Sequence, residues 1–271
     1  MDYIQQAIDK ARNERQGKIG NAAENSAPEA NPSAGPLAPA VTGVPEEINY
    51  TKTRQVKLSD DVLRNNRIIA GFDFDQRAEA YRQLRTQVLQ KIRANDWKTI
   101  AVTSPNESAG KSITALNLAI SLSKEVNQTV LLVDMDLRNP CLLELLGLEA
   151  EAGIVDHLKG EVSVADIMVN PGFERLVILP GKADPHYSSE MLSSPPMKEL
   201  LHDLTTRYES RIIVFDLPAL LVNDDALVFT PVVDASLLVI EDGGSSEEDI
   251  KRSLQLLEGT ELLGTVLNKA E

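Results

Sequence analysis

The sequence predicts an α/β fold built on a mostly parallel sheet with helices on both faces, and three observations lead to it. Strand-like and helix-like segments alternate from residue 99 onward. The strand segments are continuous apolar runs, such as Val130-Leu131-Leu132-Val133 and Ile212-Ile213-Val214-Phe215, as strands covered on both faces must be. One strand-to-helix junction carries Gly110-Lys111-Ser112, the ending of a phosphate-binding loop.

The individual segments follow from periodicity. Apolar residues at Tyr81, Leu84, Val88 and Ile92 predict a helix over 79–92 that leads into the core. Strands are then expected over 99–104, 129–136, 176–179, 212–216, 236–240 and 264–267, and helices over 112–124, 196–208 and 246–258. Ahead of this core, residues 1–18 carry a narrow apolar stripe of Ile4, Ala7, Ile8 and Ala11 and read as an amphipathic helix. Residues 19–50 are rich in Pro and Ala and read as a disordered linker, leaving 51–271 as the ordered domain. As a flexible coil the linker spans roughly 30 Å, so the first helix can act on a partner at a distance.

Composition narrows the function. With 271 residues there is room for one sizeable α/β domain and a tail. The net charge of −14 repels nucleic acid and anionic lipid, so nucleic acid is not an expected partner. No run approaches the ~20 apolar residues of a membrane span, and the first residues lack the pattern of a signal peptide. The single cysteine, Cys141, sits in an apolar run and is read as packing in a reducing compartment. A cytoplasmic protein is expected. His157, His186 and His202 have no metal-ligand spacing and receive no role.

The chemistry gathers at strand ends. In 102–112 a strand ends, a loop follows and a helix opens, so backbone N–H groups from Ser108 to Ile113 (Ser108, Ala109, Gly110, Lys111, Ser112, Ile113) can wrap a phosphate. Lys111 adds a point charge for the β and γ oxygens, and Ser112 offers a hydroxyl to Mg²⁺. Pro105 stands where the strict motif has glycine. Asp134 and Asp136 close the next strand segment, on the same side by strand alternation, where they can hold Mg²⁺ or orient a nucleophile. Asp216 closes a third, the position from which a carboxylate supports a metal's water shell. Each aspartate has a plainer reading as a turn or helix cap. Their coincidence with the loop favours a P-loop NTPase fold with ATP and Mg²⁺ as cofactors. Asp224 reads as a helix cap, while Asp225 stays open between cap and site.

These residues resemble the bacterial tyrosine kinases (CpsD/CapB-type) of capsule and exopolysaccharide biosynthesis, a branch of the MinD/ParA-like P-loop ATPases. The likeness rests on Glu79-Ala80-Tyr81-Arg82-Gln83-Leu84-Arg85, the Lys111 loop, 132–140 with its Asp134-Met135-Asp136-Leu137-Arg138, Phe215-Asp216-Leu217-Pro218-Ala219, Asp225-Ala226 and 264–269. The resemblance implies that Lys111, Asp134 and Asp136 serve phosphoryl transfer and that Ser112, Asp134 and Asp216 serve the metal. It places Asn268 near the base and makes Glu79, Arg82 and Arg85 an oligomerisation motif. As a bare pattern, those three read equally as an ion-paired, solvated helix face.

The resemblance further implies a tyrosine-kinase-like protein acting in polysaccharide biosynthesis or export, as a homo-oligomer. A separate membrane adaptor would hold it peripherally at the inner membrane. None of the five tyrosines (Tyr3, Tyr50, Tyr81, Tyr187, Tyr208) follows the last strand, so autophosphorylation of a C-terminal tyrosine cluster is not expected. The alternative is a nucleotide-gated ATPase or binding module of MinD/ParA type, without kinase chemistry, that controls a partner. A DNA-positioning or division role is disfavoured by the acidic surface.

Overall fold

The computed structural model describes residues 53–184 and 188–270; the amphipathic segment 1–18 and the linker 19–50 lie outside them, as do Tyr3, Tyr50, His186 and Tyr187. In chain order the strands are β1 (Arg54–Gln55), β2 (Thr99–Thr103), β3 (Thr129–Asp134), β4 (Val169–Asn170), β5 (Leu176–Leu179), β6 (Arg211–Asp216), β7 (Ala235–Glu241) and β8 (Leu262–Asn268). The α-helices are α1 (Asp60–Asn65), α2 (Ala78–Asn95), α3 (Lys111–Ser123), α4 (Leu142–Leu145), α5 (Ile154–Leu158), α6 (Val164–Ile167), α7 (Ser188–Leu192), α8 (Pro195–Thr206), α9 (Asp225–Phe229) and α10 (Glu247–Leu256).

The strands form one sheet in the order β1-β4-β5-β3-β6-β2-β7-β8. Every pairing is parallel except β4 with β5. Alternate residues of the central strands feed two apolar layers. Ile100, Val102, Leu132 and Val214 pack on one face with α2 and α3, while Ala101, Leu131, Val133 and Phe215 pack on the other with α5, α8 and α9. Helix α3 lies between the sheet and α2 and is buried at every position except Ile113, so its apolar residues are joined only by small or hydrogen-bonded polar ones and by the site residues Lys111 and Ser112.

Parallel register brings the three chemistry-bearing strand ends together. Asp134 of β3 pairs with Asp216 of β6, which pairs on its other side with Val102 of β2. The expected strand over 129–136 stops at Asp134; Asp136 belongs to the following turn, where its Oδ1 accepts the N–H of Asn139 at 3.1 Å. The short elements β1, β4 and α4–α7 have no counterpart in the periodicity reading, because two to five residues hold too little of a repeat to register.

A single polar side chain inside the apolar layer ties the segment ahead of α2 to the core. Asn117 of α3 is fully buried. Its Oδ1 accepts the N–H groups of Ile69 and Ala70 at 2.8 and 2.9 Å, and its Nδ2 donates to the carbonyls of Arg67 and Ile113. Asn117→Ala would strand these backbone groups in an apolar setting, so a loss of about 2–3 kcal/mol is expected in denaturant unfolding. A loss below about 0.5 kcal/mol would show that the segment finds other partners.

Candidate functional site

The loop between β2 and α3 turns through two left-handed residues, Ser108 at φ 63° and Gly110 at φ 91°. Gly110 is required here twice over: its conformation disfavours a side chain, and a Cβ would lie 2.1 Å from Asn268 Nδ2. Asn268, at the end of β8, donates to the Ala109 carbonyl at 2.8 Å and so holds the loop from the far edge of the sheet. Asn106 ties the loop to α10 through Asp249 at 3.0 Å. Thr114 N–H is the first to bond back into the helix, to Gly110 O. The N–H groups of Lys111, Ser112 and Ile113 therefore face the loop without intrahelical acceptors, where a phosphate can take them.

Lys111 lies at the centre. Its Nζ is 2.9 Å from Asp136 Oδ2, 3.6 Å from Asp216 Oδ1 and 3.2 Å from Ser112 Oγ. Burial works against the ammonium, but Asp216 and Asp136 outweigh it and hold the group above the ordinary lysine range. Asp134 and Asp216 are buried, and burial pushes both carboxyls up; beside Asp134 the charge of Asp216 adds to this, while Lys111 opposes it at Asp216. The directions at Lys111 and Asp216 look opposed for an ion pair. The ammonium stays charged among the three acids, while burial shifts the two deepest carboxyls toward their protonated form.

Asp134 Oδ2 accepts the N–H groups of Cys141 and Leu142, each at 3.0 Å, which fixes the carboxyl at the start of α4. Its Oδ1, and both oxygens of Asp216, are buried with no hydrogen-bond partner among the described residues. Buried acceptors of this kind, of which Asp216 Oδ1 meets only the Lys111 ammonium at 3.6 Å, fit a hydrated divalent cation. Among the described residues no three acidic, His or Cys side chains are close enough to cage an ion. The donor set thus suits Mg²⁺ held through one or two carboxylates, water and substrate phosphates.

The other candidates are placed as follows. Cys141 is half-buried at the site, and burial followed by the charge of Asp216 pushes its thiol up to about 12, so it stays protonated. Asp224 occupies the cap position of α9 without a side-chain capping bond. Asp225 is fully buried and takes Arg138 in a two-pronged pair at 2.8 and 3.2 Å, together with the hydroxyl of Ser189. Sequence reasoning missed this clamp, because nothing in the chain announces that Ser189 of α7 would meet Asp225. Glu79 and Arg82 pair at 2.7 Å on α2. Arg85 instead reaches across to the Ser121 carbonyl and lies 3.4 Å from Glu125.

An open parallel sheet, a glycine-lysine-serine loop at a buried helix start and carboxylates on the adjoining strand ends define a P-loop nucleotide-binding protein. Residues 100–271 match the family described as the CobQ/CobB/MinD/ParA nucleotide binding domain. The chain belongs to this family and, within it, to the bacterial tyrosine-protein kinases. It is 31% identical to the tyrosine-protein kinase YwqD of Bacillus subtilis over 193 residues, covering 70% of this chain and 80% of that one. It is also 31% identical to the succinoglycan biosynthesis transport protein ExoP of Rhizobium meliloti over 220 residues, 78% of this chain but 28% of ExoP. The kinase domain of the Escherichia coli tyrosine kinase ETK superposes with a TM-score of 0.68 over 80% of this chain and 91% of that one; at 24% identity this likeness speaks for the fold.

Proposed function

We propose that this chain is an ATP- and Mg²⁺-dependent tyrosine kinase acting in exopolysaccharide or capsule biosynthesis or export. The observation that carries the reading is the buried Lys111 ammonium bridging Asp136 and Asp216 beside Asp134, at the open start of α3. The backbone from Ser108 to Ile113 would hold the β-phosphate, with Lys111 turning from Asp136 toward the β and γ oxygens. Ser112, Asp134 and Asp216 would hold Mg²⁺, which when bound neutralises charge on the transferring phosphoryl group. Asp136, released from Lys111, is then free to accept a proton from an incoming hydroxyl. Asn268 would border the base.

The acceptor is expected to come from another molecule or from outside the described residues. Tyr81 is largely buried against the core. Tyr208 is exposed but precedes β6, at the end of the strand opposite Asp216, with Arg211 stacked 3.9 Å over its ring. Incubation with Mg-[γ-³²P]ATP tests the reading: label on tyrosine of the protein or a partner, absent from the Lys111→Met variant, is the expected result. Released phosphate without labelled tyrosine would instead establish the second reading, a nucleotide-gated ATPase that controls a partner; the lack of an accessible acceptor near the site among the described residues favours keeping it in view.

The assembly we propose is a homo-oligomer joined through Glu79, Arg82 and Arg85, docked on a separate membrane adaptor of a polysaccharide polymerisation or export system, on the cytoplasmic side. Residues 51–271 would form the nucleotide domain and 1–18 an arm for the partner. What supports the adaptor is the ExoP relationship, together with the fact that no helix among the described residues is long and apolar enough to cross a membrane. Glu79 is exposed and Arg82 half-exposed, so both are available to a neighbour. Sedimentation of a Glu79→Ala/Arg82→Ala double variant should show a smaller species than wild type; an unchanged size would return the motif to a solvated ion pair, worth only tenths of a kcal/mol.

A further inference from the structure

Three segments that leave the carboxyl edge of the sheet meet on one buried carboxylate. Asp225 of α9, after β6, is fully buried. Arg138, in the turn after β3, donates to it from Nε at 2.8 Å and from Nη2 at 3.2 Å. The hydroxyl of Ser189 in α7, after β5, lies within hydrogen-bond reach of Asp225 Oδ1 and, at 2.8 Å, of Asp224 Oδ1. Burial works against the Asp225 carboxylate, but Arg138 and the hydroxyls of Ser189 and Ser188 outweigh it and hold the carboxyl below the ordinary carboxylate range. A buried ion pair gains little stability over apolar packing of the same volume, whereas a forked arginine–carboxylate pair fixes direction. The turn it fixes is the one that carries Asp136. Backbone bonds hold that turn at Met135, whose N–H donates to Asp216 O at 2.9 Å, and at Leu137, whose carbonyl accepts the N–H of Asp184 at 2.8 Å. Beyond it Asp134 Oδ2 holds Cys141 and Leu142. Arg138 and Asn139 stand between these points, where the clamp is the anchor.

We infer that Asp225 is a positioning residue for phosphoryl transfer: through Arg138 it fixes Asn139, and so keeps Asp136 in place once Lys111 has moved to ATP. The inference deepens the proposed function and rests on it for the movement of Lys111. In the empty protein the Asp136 carboxylate is held from two sides, by Lys111 Nζ at 2.9 Å and by the N–H of Asn139 at 3.1 Å. When the phosphates draw Lys111 away, the Asn139 N–H is the partner that remains. Its position then depends on the neighbouring Arg138, and that of Arg138 on Asp225 and the planar fork between them. A role in stability alone would make the clamp matter equally with and without nucleotide. A positioning role makes it matter most when nucleotide is bound, because until then Lys111 grips Asp136 itself.

The test reads the Asn139 amide directly. Its hydrogen exchange is measured in the whole chain, empty and with Mg²⁺ and a non-hydrolysable ATP analogue, for wild type, Asp225→Asn and Arg138→Gln. The Arg138 side chain is partly exposed, so Arg138→Gln leaves the core intact and keeps the test open should Asp225→Asn fail to fold. With nucleotide bound, the amide is expected to exchange at least about fivefold faster in either variant than in wild type, and less than about twofold faster in the empty protein. ATP turnover, read as phosphate released plus phosphate transferred, should fall at least about tenfold while KM for ATP stays within about twofold. Arg138→Lys, which restores the charge without the fork, should recover part of that turnover. Equal acceleration of exchange in both states, or none with nucleotide bound, would overturn the assignment, as would an equal loss in turnover and in nucleotide affinity. Phosphate release without labelled tyrosine, with the exchange pattern as expected, would sink the kinase reading alone; labelled tyrosine with undiminished turnover in both variants would sink the positioning role alone.

Discussion

Lys111→Met is expected to lower turnover at least about a hundredfold, the scale seen when one preorganised electrostatic contact to a developing charge is removed. The same change should destabilise the ligand-free protein. Lys111 is 11% exposed and is the cation within salt-bridge range of both Asp136 and Asp216, whose oxygens lie 2.9 and 3.6 Å away. Methionine can follow the aliphatic stem but leaves the carboxylates without a counter-ion, at a cost of about 3 kcal/mol at neutral pH. In wild type the folded lysine is held above its ordinary value of 10.5, so its contribution is fully present below that value and is lost only as the pH rises through the folded one. The deficit in the variant should shrink toward pH 5, because Asp216 is already pushed up by burial and can take a proton in place of the ammonium. Denaturant unfolding at pH 5 and pH 7.5 measures this; equal stability of variant and wild type at both would show that the pairing contributes nothing net.

Asp134→Asn should move activity and stability in opposite directions. Burial, with Asp216 beside it, holds the Asp134 carboxyl above its ordinary value of 3.8. The folded state thus binds more protons than the unfolded one in a window that opens at that value and extends upward. Stability is full below the window and falls as the pH rises through it. Asparagine has no proton to lose, and its Oδ1 can still accept the N–H groups of Cys141 and Leu142 that Asp134 Oδ2 accepts. The variant should therefore be more stable near pH 7.5 by at least ~1 kcal/mol, roughly 2–4 °C in a chain of this size, with a flatter profile from pH 5 to 8. Asp216 shifts in the same direction, so some slope remains. Turnover should fall about a hundredfold, and Mg-ADP should raise the melting temperature less than it does in wild type. A pH profile that tracks wild type would place the titrating group elsewhere.

Much of this was legible in the chain itself. The continuous apolar runs of β2, β3 and β6 announce strands covered on both faces, and the packing of Ala101, Leu131 and Phe215 on one side and Val102, Leu132 and Val214 on the other bears that out. The glycine-lysine-serine ending marks the loop, since only glycine tolerates the 91° φ of residue 110 and a lysine is needed where charge gathers. Local order alone is enough for such features, because each is written in a run of neighbouring residues. The short helices after β3 escaped for the converse reason: α4 and α6 span four residues each, and their form depends on contacts such as those of Asp134 with Cys141 and Leu142.

What the sequence by itself determined was the class of fold, the phosphate loop and which carboxylates end strands. Only the tertiary structure decided what those carboxylates do to one another. The order β3-β6-β2 makes neighbours of residues scattered over more than a hundred positions, and burial then pushes the Asp134 and Asp216 carboxyls above their ordinary range. The Asn117 tie and the Arg138–Asp225–Ser189 clamp arise in the same way, from long-range packing that no local pattern encodes. A side chain's residue type is set by the chain, but its charge state and partners follow from the solvent and the neighbours that folding removes or supplies.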